Sequence, residues 1–168
     1  ATPSFRGGRV TIALPHDAVE AFQSLGRKEG ATPFIAFLAA FAALLSRLSG
    51  DEDVALGTPV AGRPVPELAE VIGFFANTVV LRADLTGAPG TTELLSRMRV
   101  RVLEAIEHQH LPFATLVEAI GAPRDPSRNP LFQVSFSMVN RARDELRLAG
   151  ADVHAVATSI EQAKFDLT

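Results

Sequence analysis

The sequence predicts an α/β domain in which helices pack against a mixed sheet. Short alternating segments, which are typical of strands, are interleaved with longer segments whose apolar residues recur every three or four positions. A chain of 168 residues with 47% hydrophobic and 21% charged residues suits a globular domain with a real core. Because no linker and no internal repeat divides the chain, we expect a single domain over residues 1–168.

The first elements are a predicted strand and a predicted amphipathic helix. Residues 9–14 alternate between apolar and polar or small side chains, which favours a strand that Pro15 ends. Residues 17–28 place their apolar side chains three apart, as on one face of a helix, and Gly30 is expected to end it.

A second helix and a second strand follow. Thr32 is a suitable N-cap for a helix over residues 33–48, with Pro33 at the first helical position, where its missing N–H costs nothing. This helix is apolar almost all round, which indicates burial on several sides or a surface that awaits a partner. Residues 54–60 predict a short strand that leads into a turn at residues 61–64.

The middle of the chain predicts a strand and two helices. Residues 78–85 alternate, with one wetter face. Residues 91–107 carry apolar side chains on one face and charged side chains on the other, which indicates a long amphipathic helix. Pro112 is expected in the first turn of a short helix that runs to residue 120 and ends at Gly121.

The last part of the chain is less regular. Residues 121–130 are too rich in Pro, Asp, Ser and Asn for a helix or strand, whereas residues 131–138 alternate strictly and predict a strand. Residues 141–150 are charged and expected to be exposed. Residues 164–168 resemble the first residues of a strand that is cut short.

Composition excludes several classes of function. The absence of cysteine excludes disulfides, thiolate metal sites and cysteine nucleophiles. A net charge of −3 argues against nucleic acid as a partner. We expect no signal peptide and no membrane span, since the longest apolar run, residues 33–45, is too short, and we therefore expect a cytoplasmic protein. All 11 aromatic residues are Phe, so most of them are expected in the core.

Each segment that could carry chemistry also has a purely structural interpretation, which the residues alone favour. In residues 72–78, Gly73 would serve a turn, Phe74 and its neighbour Phe75 would serve the core, and Asn77 would bond its own backbone. His108 and His110 lack a third metal ligand at suitable spacing and instead suit a helix C-terminus.

A polar loop forms the third such segment. Its arginines, Arg124 and Arg128, could recognise a phosphate-bearing group. Alternatively an Arg–Asp pair, with Asp125 as the acid, and Asn129 could simply pin the loop. No nucleophile elbow, phosphate-binding loop or dinucleotide fingerprint is present in the sequence, so the residues alone give no self-contained catalytic constellation.

Taken together and in order, the three segments indicate a family far more specifically than any one of them does. Ile-Gly-Phe-Phe-Ala-Asn-Thr at residues 72–78, His-Gln-His-Leu-Pro-Phe at residues 108–113 and Arg-Asp-Pro-Ser-Arg-Asn-Pro-Leu at residues 124–131 together resemble the C-terminal half of the condensation domain of nonribosomal peptide synthetases. The family's catalytic motif, His-His-x-x-x-Asp-Gly, is absent from this sequence, whose four histidines are nowhere adjacent. Ala76 where Val is commoner, and His110 and Leu111 where Asp and Tyr are often found, are mild departures.

The resemblance implies a fold similar to chloramphenicol acetyltransferase, with two lobes and a tunnel for the phosphopantetheine arms of two carrier proteins. It implies amide formation between an acyl or peptidyl thioester and an aminoacyl thioester. This chain would be the C-terminal lobe, truncated at its C-terminal end, inactive alone and without a catalytic residue, a metal or a directly bound cofactor. Its partners would be the N-terminal lobe, peptidyl carrier proteins and an adjacent adenylation domain. The residues expected at the cleft or in structural motifs are Arg63, Gly73, Phe74, Asn77, His108, Pro112, Arg124, Asp125, Arg128 and Asn129.

Two alternatives remain open from the sequence. The chain could be a non-catalytic module that docks a carrier protein or a neighbouring synthetase domain, for which the apolar helix at residues 33–48 and the cut-short strand at residue 168 argue. It could also be an acyltransferase that uses acyl-CoA, as other members of the same fold do. An epimerization domain shares the fold, but the segment at residues 124–131 looks more like the condensation type.

Overall fold

The strands of the described residues form one mixed sheet. The computed structural model describes residues 4–63, 65–123, 125–139, 150, 153–154 and 162–168. Its strands are β1 (Asp53–Val60), β2 (Asn77–Asp84) and β3 (Val134–Ser135), and its helices are α1 (His16–Lys28), α2 (Pro33–Ser49), α3 (Thr91–Glu107) and α4 (Phe113–Ile120), with one 3₁₀ turn at Pro66–Leu68. β1 runs antiparallel to β2, with Asp53 opposite Asp84, and parallel to β3.

The core lies between the sheet and helices α2 and α3. Period-two alternation in β2 and period-3.6 spacing in α3 bring the apolar faces of both elements to the same side. The largest fully buried side chains are Leu38, Leu56, Leu81, Leu95 and Met98. Helix α2 buries five residues, as its sequence predicts, but Leu44 and Leu48 stay exposed. The apolar helix is therefore mainly a core element.

The ends of the helices follow the capping signals in the sequence. The side-chain oxygen of Thr32 accepts a hydrogen bond from the Ile35 amide at 3.3 Å, and Gly50 ends α2 with a φ of 83°. Gly121 ends α4 with a φ of 66°. Pro112 was expected in the first turn of α4, but it is the N-cap, because its φ and ψ of −61° and 138° are extended.

The strand predicted over residues 9–14 is wrong. These residues have no regular structure, and Val10 and Ile12 are 86% and 77% exposed. Alternation supplies an apolar face, but a strand also needs a ladder partner. Within the described residues, the only bridge nearby joins Arg6 to Gln162.

The strand predicted over residues 131–138 is much shorter than expected. β3 has two residues, because Leu131 has a φ of 67° and the Gln133 side chain bonds both backbone groups of Asn129, which holds the chain in a loop. The cut-short strand at residues 164–168 is a single parallel bridge from Leu167 to Val134. The charged stretch at residues 141–149 lies outside the described residues.

The phenylalanines are less buried than the sequence suggests. Phe132 is 4% exposed, but Phe5 and Phe74 are 59% and 93% exposed, and the remaining eight are half-buried. Several of the half-buried rings pack against the core and contact one another, such as Phe34 and Phe41 against Phe136.

Within the described ranges, no single helix is long and apolar enough to cross a membrane. Helices α1 and α2 reach that length and composition only as a pair, and they are bent by 109° at their junction.

Candidate functional site

Asn77, the first residue of β2, joins the first two motif segments. Its side-chain amide donates hydrogen bonds to the carbonyl oxygens of Gln109 and Leu111, both at 2.8 Å. Its Oδ1 atom accepts a hydrogen bond from the Phe113 amide at 3.1 Å and so caps α4 from a distant part of the chain. The expectation that Asn77 bonds its own backbone is wrong, since all three partners lie 32 to 36 residues away.

Phe132 joins the third segment to the second. Its ring packs edge-on against Phe113, with 5.6 Å between ring centroids, and lies 5.2 Å from the Phe165 ring. Beneath it is Gly57 of β1, where an added Cβ would lie 2.1 Å from the Phe132 ring. Gly57 therefore leaves room for the ring that holds the end of the third segment against the sheet.

Arg63, Phe75 and Gly73 form a stack at the base of the loop between β1 and β2. The Arg63 guanidinium lies 4.4 Å from the centroid of the Phe75 ring and donates a hydrogen bond to the Leu68 carbonyl. The Phe75 ring also approaches Gly73, where a Cβ would lie 2.9 Å from it. Gly62, with a φ of 64°, sits so close that a Cβ would meet the Phe75 carbonyl oxygen at 1.7 Å.

Phe74 departs from the structural interpretation of this segment. It was expected in the core, but its side chain is 93% exposed, and the neighbouring Ile72 is fully exposed. The Phe75 ring lies against Arg63 and Gly73, whereas no such contact covers Phe74 among the described residues.

The histidines of the second segment belong to the end of α3. His108 is its C-cap, and its Nδ1 atom lies 2.9 Å from the Glu104 carbonyl oxygen, as expected for a histidine at the negative end of a helix. His110 is exposed. Among the described residues, no group of three or more His, Cys, Asp or Glu side chains could hold a metal ion.

The polar loop of the third segment is held by its own side chains. Asp125 accepts hydrogen bonds from the Ser127 hydroxyl at 2.6 Å and amide at 2.8 Å, and these bonds hold the pKa of Asp125 below its ordinary value. The Nε atom of Arg128 lies 3.4 Å from Asp125 Oδ2, so the Arg–Asp pair of this loop involves Arg128. Arg124 lies outside the described residues.

Asn129 ties this loop to the end of the described chain. Its side-chain amide donates to the Lys164 carbonyl at 2.8 Å. The Gln133 side chain accepts a hydrogen bond from the backbone N–H of Asn129 and donates one to the backbone carbonyl of Asn129. Sequence reasoning missed Gln133 and Gly57. A glycine inside a predicted strand was a signal for Gly57, and Gln133 had no signal in the sequence.

Asn77 joins the first two segments and Phe132 joins the third to the second. The polar groups of the described candidate residues bind backbone groups, ion-pair partners or an aromatic ring. Asn77 and Asn129 each bind carbonyls of another segment, Arg63 binds a carbonyl and a ring, and His108 faces its own helix. Among the described residues no Ser or Thr hydroxyl is hydrogen-bonded to a histidine, and the Ser127 hydroxyl, which donates to Asp125, lies in the polar loop that these bonds hold.

Comparison with known proteins agrees with this fold. The family model described as the condensation domain matches residues 1–168. The chain is 48% identical over 165 residues to malpinin synthetase of Mortierella alpina, and 41% identical over 169 residues to a phosphinothricin tripeptide synthetase of Streptomyces viridochromogenes. These matches cover 98% and 100% of this chain but 2% and 16% of the two relatives, so the chain spans a small part of the curated relatives.

A solved structure extends the comparison. The X-domain from teicoplanin biosynthesis superimposes with a TM-score of 0.90 at 28% identity, over 99% of this chain and 37% of that one. The α/β class, the mixed sheet and the chloramphenicol-acetyltransferase-like fold predicted from the sequence are confirmed, as is the resemblance of the motif segments. The chain belongs to the condensation-domain family of nonribosomal peptide synthetases.

Proposed function

We propose that this chain is the C-terminal lobe of a condensation domain and builds one wall of the site where an amide bond forms. The observation that carries the proposal is the junction of the three motif segments. Asn77 fastens the first to the second, and the contact of Phe113 with Phe132 fastens the second to the third. A wall of this kind needs fixed backbone geometry, which the three asparagine hydrogen bonds supply.

The reaction needs groups that this chain does not contain. The amine of an aminoacyl thioester attacks the carbonyl of an acyl or peptidyl thioester, the C–N bond forms, the C–S bond breaks, and the carrier thiol leaves with a proton. The amine must lose a proton on the way, and in this family the second histidine of His-His-x-x-x-Asp-Gly would accept or position it. The sequence has no adjacent histidines. We therefore propose that the chain is inactive alone and that an N-terminal lobe supplies the motif.

The proposed partners follow from the assignment of the catalytic motif to an N-terminal lobe. Two peptidyl carrier proteins would present their phosphopantetheine arms to the shared cleft, and an adenylation domain would lie next to the condensation domain. Arg63, Asn77 and Asn129 would position the backbone of the wall. Gly73, Phe74, His108, Pro112, Arg124, Asp125 and Arg128 would lie at the cleft or support it.

Reconstitution tests the proposal. The chain is mixed with a separately produced N-terminal lobe of a related condensation domain that carries His-His-x-x-x-Asp-Gly, together with donor and acceptor thioesters on their carrier proteins. Intact mass then shows whether the donor has moved to the acceptor carrier. We expect product in the mixture only. Product from this chain alone would refute the assignment, because a base would then lie within the chain.

The same materials separate the two alternatives. An acyltransferase would release thiol from an acyl-CoA in the absence of any carrier protein, which a thiol-reactive dye detects. A docking module would bind a carrier protein or a neighbouring domain without supporting product formation in any mixture. The burial of five α2 residues removes much of the first argument for docking, because that face is already covered by the core.

A further inference from the structure

A cavity lies apart from the motif segments, between helices α1 and α2 and the start of α3. Its volume is about 370 Å³, which falls within the range of small-molecule sites in proteins. Buried residues such as Ala39 and Leu95 form its floor, and exposed residues such as Ala40 and Leu44 lie at its mouth. A ligand can therefore reach a largely apolar interior from solvent without unfolding the chain.

The cavity exists because small side chains of α2 face the start of α3. Ala39 and Ala43 are four residues apart and so lie on the same side of α2, with Ala40 next to them. None of the three fills the space toward Pro89. The Phe22 ring forms the wall on the α1 side, where it packs against another ring of α2 with 5.8 Å between centroids. The walls belong to packed helices, so a ligand would find the cavity already formed.

The polar groups of the cavity select the kind of ligand. Among the described residues, Arg47 is the only charged residue that lines it, and Thr91 adds a hydroxyl. No carboxylate of the described chain lies within ion-pair distance of Arg47, whereas Arg97 and Arg101 of α3 form such pairs. A cavity with apolar walls and one cation complements an anion that carries an apolar chain.

We propose that this cavity is a binding site for an aliphatic carboxylate, whose chain would lie against Leu44 and Leu94 and whose carboxylate would bind Arg47. The apolar walls favour a hydrocarbon chain, because each methylene that leaves water contributes to binding. The buried floor accommodates a narrow chain rather than a flat protein surface. Arg47 selects the charge of the head group, since a ligand amine would meet a like charge there. This proposal is independent of the proposed function, because no lining residue belongs to the three motif segments.

Titration calorimetry of the chain with octanoate, hexanoate and 1-octanol tests the proposal. We expect octanoate to bind with a Kd below about 1 mM. Hexanoate should bind about 15-fold more weakly, because each of its two missing methylenes weakens binding about 4-fold. Octanoate should also raise the unfolding midpoint in far-UV circular dichroism, since it would bind the folded chain only.

A first pair of variants locates the hydrocarbon chain. Ala40→Leu places a larger side chain at the mouth of the cavity, and its matched control, Ala21→Leu, changes an exposed alanine of α1 that does not line it. Both changes exchange one strong helix former for another at an exposed position, so the chain should remain folded. We expect Ala40→Leu to raise the Kd of octanoate at least ~10-fold, as the loss of about two buried methylenes would, and Ala21→Leu to leave it within about 2-fold.

A second pair of variants tests the charge. Arg47→Gln removes the cation at the cavity, and its matched control, Arg27→Gln, removes an exposed cation of α1 that does not line it. We expect Arg47→Gln to raise the Kd of octanoate about 5-fold, as for an exposed ion pair, and to leave that of 1-octanol within about 2-fold. Arg27→Gln should change neither Kd.

Each of four results would overturn the proposal. Octanoate binding that does not saturate below about 10 mM would exclude a site. Equal effects of Ala40→Leu and Ala21→Leu would place the ligand elsewhere, and an equal loss of octanoate and 1-octanol in Arg47→Gln would leave the carboxylate without its partner. Self-association of the chain that Ala40→Leu abolishes would assign the cavity to a second copy. Product formation in the reconstituted mixture is measured separately, so none of these results decides the proposed function.

Discussion

Replacing Asn77 with aspartate tests how the motif segments are joined. Asn77→Asp keeps the shape of the side chain and the Oδ1 acceptor for the Phe113 amide, but an oxygen replaces the nitrogen that donates to two carbonyls at 2.8 Å. Each lost hydrogen bond costs about 1 kcal/mol, and the two carbonyl oxygens then face a negatively charged oxygen. We expect the free energy of unfolding at neutral pH to fall by about 2–4 kcal/mol.

The variant should also change the pH dependence of stability. Once protonated, the new carboxyl can donate to one carbonyl, so folding raises its pKa above the unfolded value. The stabilisation that accompanies a raised pKa is present below the unfolded pKa and is lost as the pH rises through the folded pKa. The stability of Asn77→Asp relative to wild type should therefore improve as the pH falls from neutral to about 4, near the unfolded pKa of aspartate.

Urea unfolding followed by far-UV circular dichroism measures both effects, because the chain has no Trp or Tyr for fluorescence. Asn77→Ala is the uncharged control and should lose stability without the added pH dependence. Asn129→Asp faces the Lys164 carbonyl alone and should show a smaller effect. If Asn77→Asp matched Asn77→Ala at every pH, the proposed contact of the amide with two carbonyls would be wrong.

Two further predictions concern the sheet. Gly57→Ala should lower the free energy of unfolding by about 2–3 kcal/mol, because its Cβ would overlap a buried phenylalanine ring, whereas Gly8→Ala, with nothing within 4 Å, should change it by less than about 0.5 kcal/mol in urea melts. The hydrogen bonds from Arg82 lower the pKa of Asp53, so this pair stabilises the fold above the unfolded pKa of the carboxyl and should lose its effect as the pH falls through the folded pKa. Arg82→Ala should accordingly flatten the acid limb of the stability curve, and an unchanged acid limb would contradict this.

Local signals allowed most of the fold to be predicted, and long-range partners account for what could not be predicted. Helix α2 has its cap, its proline and its terminal glycine in the sequence, so its bounds were predicted to within a residue. The alternation of residues 9–14 says nothing about a ladder partner, so a strand was expected where the chain is irregular. The prediction of a strand over residues 131–138 failed because a hydrogen bond from the Gln133 side chain to the Asn129 carbonyl competes with the pairing of the sheet.

The candidate site, like the fold, could be predicted only in part from the sequence. The order of the motif segments indicated the family, but not how Asn77 reaches a helix that begins 36 residues later. Phe74 and Phe75 are adjacent and chemically identical, but Phe75 lies against Arg63 whereas Phe74 is exposed. Contacts of that kind depend on the three-dimensional arrangement of β1 and β2, which spacing along the chain does not encode.

The histidines give a prediction about where the proton of the amine goes. All four histidines are exposed. His108 Nδ1 lies 2.9 Å from the carbonyl of its own helix, and His16 Nδ1 lies 3.7 Å from Glu20 with both side chains exposed, so none is a buried general base beside an orienting acid. Replacing each by alanine, one at a time, should leave the product yield of the reconstituted mixture within about 3-fold of wild type, whereas general bases contribute about 10²–10⁴-fold. The matched control is alanine at the second histidine of His-His-x-x-x-Asp-Gly in the N-terminal lobe, which should abolish product. A loss of about 100-fold from any single histidine of this chain, with unchanged stability, would place the base on this wall of the cleft and contradict the division of work between the lobes.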